Sequence, residues 1–209
     1  MGLPVREKFW SIDPKRTAHL AIDIQNDFLD DDGFYREIGI DITHLKRVIE
    51  PIGRLHAACQ ERGIPTFWTQ HGTGSNSEAG LLADLAPGIL SNALKVGTWG
   101  YEIHSAFTLG EHDVRIPKLR LSAFFQTDLE LRLRGLGIDT LIVTGVLTNQ
   151  CVASSVKDAL FRDIKPIVVE EATGTTRPHL QEPVMEMIRV GWGQVNSLEA
   201  TLRELGVAT

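Results

Sequence analysis

The stretch Thr140-Leu141-Ile142-Val143-Thr144-Gly145-Val146-Leu147-Thr148-Asn149-Gln150-Cys151 decides the fold. Its first half, Thr140 to Gly145, is a short run rich in β-branched residues and reads as a buried strand. Its second half leads into a segment of helical period from about Asn149 to Arg162, with Thr148 or Asn149 available as the cap. The same succession of short strand and longer helix repeats on both sides. Upstream, Ala18 to Ile24, Ile64 to Gln70 and Asp113 to Lys118 read as strands. Leu45, Val48, Ile49, Ile52, Leu55 and Cys59 recur at helical spacing up to Gly63, with Pro51 starting or kinking that helix, and Asp128 to Arg134 reads as another helix. Downstream come a strand Pro166 to Glu170, a helix through Met185 and Ile188, a short strand Gln194 to Asn196 and a terminal helix to Leu205. This alternation predicts an α/β fold over residues 1–209: a single domain of three α-β-α layers, Rossmann-like, with a mostly parallel central sheet of about six strands. Only residues 71–112, rich in Gly, Ser and Asn, break the pattern. With at most short helices, this segment reads as a cover or binding loop.

A chain of 209 residues, 43% hydrophobic and 23% charged, has the composition of an ordinary globular domain, and it is long enough to bury a core without disulfide or metal. Apolar runs such as Leu141 to Val143 are too short to span a bilayer, so no membrane partner is expected. The net charge of −6 and the lack of a basic cluster argue against nucleic acid and leave a small molecule as the partner. The stretch MGLPVREKFWSIDPKRT lacks the layout of a secretory signal, so a cytoplasmic location is expected, with Cys59 and Cys151 reduced and separate.

Open parallel sheets bind ligands outside the carboxyl ends of their strands, where the strand order reverses. Asp23 ends the first predicted strand, Lys118 the third, and Cys151 lies just beyond the fourth. In the first turn of a helix, a cysteine has free backbone N–H groups and the helix dipole to favour its thiolate and to receive an oxyanion. A carboxylate could carry its proton, and an ammonium could stabilise the charged forms. From position alone, Cys151 reads equally well as a small buried apolar residue. Asp23 and Lys118, each taken singly, read more readily as a turn residue and a solvated strand end.

The motifs Asp23-Ile24-Gln25-Asn26-Asp27-Phe28, Lys118 with Ser122-Ala123-Phe124, and Gly145-Val146-Leu147-Thr148-Asn149-Gln150-Cys151-Val152 resemble the three signatures of isochorismatase-like cysteine hydrolases. They stand in the same order, within a similarity running from about Pro14 to Leu205. The resemblance implies Cys151 as nucleophile, Asp23 as general base and acid, and Lys118 as the charged partner of both. It also implies a cis peptide between Val146 and Leu147 that turns the Leu147 N–H toward the substrate beside that of Cys151, an oxyanion hole. The reaction implied is thiolate attack on a carbonyl, a thioester with release of ammonia or an amine, and hydrolysis.

Within that family, nicotinamidases carry an Asp and several His after the second strand to hold a metal. Here Thr69-Gln70-His71-Gly72-Thr73-Gly74-Ser75 offers a lone histidine, so neither a metal nor another cofactor is expected, and His71 is a candidate substrate contact instead. The segment Lys95 to Ile103 and the run Ser122-Ala123-Phe124-Phe125 look most like amidohydrolases of ureido or N-carbamoyl compounds, although Leu121 stands where those relatives have tyrosine. Of the aromatic residues Phe28, Trp99, Tyr101 and Phe125, Phe28 and Trp99 are the expected pocket walls. The expected partner is thus a small amide or ureido substrate, and a homo-oligomer is expected. Vinyl-ether hydrolysis and a non-catalytic protein with a redox-sensing Cys151 are the alternatives. A dinucleotide-binding reading fails for want of the glycine fingerprint after the first strand.

Overall fold

In the computed structural model, which describes residues 9–86 and 88–207, strands β1 (Thr17–Ile22), β2 (Thr66–His71), β3 (Val114–Lys118), β4 (Thr140–Val146), β5 (Lys165–Gly174) and β6 (Gln194–Asn196) pair in the order β3-β2-β1-β4-β5-β6. Every pairing is parallel, so the sheet is wholly rather than mostly parallel. The order reverses between β1 and β4. These two central strands are buried along their whole length, because helices cover both faces.

Strand alternation divides the core. Ala18, Leu20 and Ile22 face a layer containing Leu129, Leu133 and Val156, while Ala21, Ile142 and Trp68 face one containing Ile52, Leu55 and Leu202. The second layer is built by α1 (Ile49–Glu61). The first layer is built by α2 (Leu129–Gly135), α3 (Ala153–Leu160) and α4 (Gln181–Met187), and α5 (Leu198–Glu204) returns to the side of α1.

Pro51 lies in the first turn of α1, where its missing N–H costs no intrahelical bond, and the periodic residues before it form a separate turn, Thr43–Lys46. The helix stops at Gly63, whose φ is +66°. There the Ile64 N–H donates to Cys59 O at 2.9 Å and the Gly63 N–H to Gln60 O at 3.1 Å, a Schellman closure.

Two boundaries differ from the sequence reading. β5 continues past Glu170 to Gly174, because its last residues pair with Gly145 and Val146 after a register shift in β4. The helix expected from Asn149 begins instead with a wide turn, Thr148–Val152, in which the Val152 N–H reaches Leu147 O at 3.2 Å. Neither Thr148 nor Asn149 caps it. The Thr148 hydroxyl donates to Gln181 Oε1 (2.8 Å), and Asn149 Oδ1 accepts from the Thr175 hydroxyl (2.6 Å). Past His71, which closes β2, the described residues up to 112 form short helical turns, Asn76–Ala79, Leu82–Leu85, Ile89–Asn92 and Trp99–Tyr101, as expected. Among the described residues, no helix is long and apolar enough to cross a membrane.

Candidate active site

Four strand ends deliver the site. Asp23 follows the last residue of β1, His71 and Lys118 are register partners closing β2 and β3, and the wide turn after β4 carries Cys151. Asp23 adopts φ +55°, a left-handed conformation that a short polar side chain tolerates but does not prefer. Thr69 holds it there: the Asp23 N–H donates to Thr69 Oγ1 at 3.0 Å, and the threonine hydroxyl donates to Asp23 Oδ1 at 2.5 Å.

The remaining carboxylate oxygen, Asp23 Oδ2, lies 2.8 Å from Lys118 Nζ, and neither side chain is exposed to solvent. The same ammonium donates to His71 Nδ1 (3.1 Å), Arg120 O (3.1 Å) and Cys151 Sγ (3.4 Å). Asp23, His71 and Cys151 bring three potential metal-binding atoms within 4.8 Å of one another. Lys118 Nζ bonds to all three residues, so a fixed ammonium fills the position between them.

The electrostatics follow from burial and from this cation. Burial opposes the charge on Lys118, but the Asp23 carboxylate and then the Cys151 sulfur outweigh it and hold the ammonium above its ordinary pKa. Burial pushes the Cys151 thiol up to about 12, with Lys118 working against the rise and Asp23 reinforcing it. The resting site therefore holds a thiol beside a carboxylate, and position in the first helical turn does not by itself make Cys151 a thiolate. Burial, followed by the charge of Lys118, drives His71 down to about 4, so its ring is neutral near pH 7. His71 Nδ1 lies between the Lys118 ammonium (3.1 Å), which can only donate, and Arg120 O (3.3 Å), which can only accept, so its two neighbours favour opposite tautomers.

Above the cluster is a cavity of about 210 Å³. Cys151, Leu147 and His71 line its floor, and the Val146–Leu147 peptide is cis, as the resemblance implied. Phe28 forms a wall, edge to face with Tyr35 at 4.9 Å between ring centroids. Leu121, which departs from the relatives' pattern, lines it too. Trp99 is not brought there. Its side chain is 52% exposed and outside the lining, and it is its carbonyl that the fold uses, accepting from Asn26 Nδ2 at 2.7 Å.

The first motif is therefore mostly a row of fasteners. Gln25 grips His71 on both sides, its amide donating to His71 O (3.0 Å) and accepting from the His71 N–H (2.8 Å), and it also donates to Tyr101 O (2.9 Å). Asp27 accepts from the N–H groups of Phe34 (3.2 Å) and Leu94 (2.7 Å), pinning two pocket walls. Thr69, Tyr35 and Gln25 were missed as site residues in the sequence. Gln25 lay inside a motif, but nothing local marked Tyr35, which reaches the cavity from an isolated helical turn, Phe34–Glu37.

The isochorismatase domain model matches residues 17–208. The chain belongs to the isochorismatase family. Among isochorismatase-family relatives, ureidoacrylate amidohydrolase RutB of Methylorubrum extorquens is 33% identical over 213 residues, covering 95% of this chain and 86% of its own length. The protein of the same name from Klebsiella variicola is 32% identical over 99% of this chain and 94% of its own. The crystal structure of a cysteine hydrolase from Pseudomonas syringae pv. phaseolicola, 26% identical, superimposes over 99% of both chains with a TM-score of 0.86. This isochorismatase-family chain is thus a hydrolase, with a cysteine at the floor of its cavity.

Proposed function

We propose that the protein is a cysteine-dependent amidohydrolase that cleaves a C–N bond of a small amide, ureido or N-carbamoyl compound through a thioester. One observation carries this reading: a solvent-free Lys118 ammonium joins the Asp23 carboxylate (2.8 Å) to the Cys151 sulfur (3.4 Å) beneath a cavity. Because the resting thiol is protonated, Asp23 takes its proton as sulfur attacks the carbonyl carbon. An S–C bond forms, and the carbonyl electron pair moves to oxygen, facing the N–H groups of Leu147 and Cys151. Collapse breaks the C–N bond while Asp23 returns the proton to nitrogen. Water, deprotonated by Asp23, then cleaves the thioester, and the sulfur regains its proton. Lys118 keeps its charge throughout and balances each anionic form. His71 contacts the substrate from the cavity lining, and Phe28 packs against it. The amidohydrolase names of the curated relatives support the same bond type. A homo-oligomer belongs to the same proposal, and sedimentation would read it directly.

The test is ammonia release across ureido acids, N-carbamoyl amino acids and simple amides. Cys151→Ala is expected to lower turnover of the best substrate at least about a thousandfold while leaving the circular dichroism spectrum unchanged. Full turnover by Asp23→Asn would remove Asp23 from the mechanism.

A further inference from the structure

The curated relatives are named for ureidoacrylate, whose acrylate end is an anion at neutral pH. A site that selects such a compound has to answer that charge. None of the described residues lining the cavity is lysine or arginine, and Leu82, Leu85, Ala86, Ile89 and Leu94 give it an apolar stretch. The sequence supports the same conclusion independently of any coordinate: between Ala79 and Leu94 the sole charged residue is Asp84, itself an anion.

Three cations on β3, on the loop after it and on the 71–112 segment have partners of their own. Lys118 pairs with the Asp23 carboxylate and donates to His71, Arg120 O and Cys151. The Arg120 guanidinium donates to the carbonyls of Glu78 and Leu119, and Lys95 Nζ donates to Thr73 Oγ1. The polar side chains that do line the cavity, Tyr35, His71 and Gln150, are neutral, with His71 at the Cys151 end, where the carbonyl head must lie. Within this lining Leu94 is buried and Leu85 is 80% exposed, so a carboxylate lying against it would give up part of its water and gain no counter-charge.

We infer that beyond the scissile carbonyl this pocket selects an uncharged, apolar group, so that its substrates are neutral amides or N-alkyl carbamoyl compounds rather than ureido acids. The inference rests on the amidohydrolase reading above.

Matched pairs test it. 3-Ureidopropionate is compared with N-(3-methylbutyl)urea, and succinamate with 4-methylpentanamide, each pair exchanging a carboxylate for an isopropyl group of the same shape. Ammonia release by the full chain should favour the neutral member of each pair by at least roughly a hundredfold in kcat/KM, and Leu121→Arg should narrow or invert that ratio. Calorimetry of the same compounds with Cys151→Ala separates binding from chemistry. Tighter binding of the neutral members, with no Cys151-dependent release from any compound, would remove the hydrolase reading and leave the pocket's preference standing. Equal or better turnover or binding of the carboxylates, or no binding of either member at millimolar concentration, overturns the inference.

Discussion

Lys118 keeps a full charge where no solvent reaches it, so its contribution depends on Asp23. Asp23→Asn leaves that ammonium buried without its counter-charge and is expected to cost about 3–5 kcal/mol, read as a lower urea midpoint. Combining it with Lys118→Met should restore most of that stability and none of the turnover. A single Asp23→Asn variant as stable as the parent would show that the pair contributes nothing to folding. A second buried base acts through pH. Burial, helped by His56, lowers the His19 pKa to about 3 from the ordinary 6.5, and its Nε2 lies 2.8 Å from Thr144 Oγ1. Between pH 6.5 and 3 the unfolded chain binds a proton that folded His19 refuses, so stability falls on acidification through that window. The urea midpoint should drop from pH 7 to pH 4.5 in the parent and drop less in His19→Gln. An unchanged slope would assign the acid sensitivity to other groups. The meeting of Asp23, Lys118 and Cys151 was legible in the sequence because each stands at or just beyond a strand end inside a motif. The pairing of Thr69 with Asp23 was not, since its partners are 46 positions apart and only the β1–β2 register brings them together.

At the level of elements, the junction of β4 with its following turn is tightly constrained. Gly145 has φ +115°, and a methyl group there would be driven into the Ile22 backbone of β1. Gly145→Ala should therefore cost about 2–4 kcal/mol and displace the turn that carries Cys151. Gly53, inside α1, has ordinary dihedrals and open space around its Cα. Gly53→Ala should raise stability by about 0.5–1 kcal/mol, and a denaturation series containing both variants compares the two sites directly. Strands and helices were legible as far as hydrophobic period announces them. The wide turn Thr148–Val152 escaped because its shape is fixed by distant bonds, Thr148 to Gln181 and Gln181 Nε2 to Thr173 Oγ1 at 2.9 Å, rather than by local caps. The last residues of β5 escaped for a similar reason, since Glu171, Ala172 and Gly174 are poor strand formers in isolation and the strand extends only by pairing with β4.

Across the whole molecule, one rim of one sheet assembles chemistry from β1, β2, β3 and the turn after β4, so no smaller piece of the fold contains the site. Activity and global structure should accordingly be lost in a single thermal transition, followed in parallel by turnover and circular dichroism. Loss of turnover well below the structural midpoint would mean that the cavity wall opens separately. The fasteners of the first motif bear on that wall. Asp27 holds the Leu94 N–H, Asn26 the Trp99 carbonyl and Gln25 the Tyr101 carbonyl, while the His104 N–H donates to Ile24 O at 2.8 Å. Leu81 and Leu85, by contrast, are each 80% exposed. A protease that cuts after such leucines would sever the backbone on the outer side of these clasps, and the downstream piece would stay seated by contacts that do not depend on chain continuity. The nicked protein should migrate as two fragments under denaturing conditions and as one particle under native ones, a molecule whose covalent thread and working architecture can be separated.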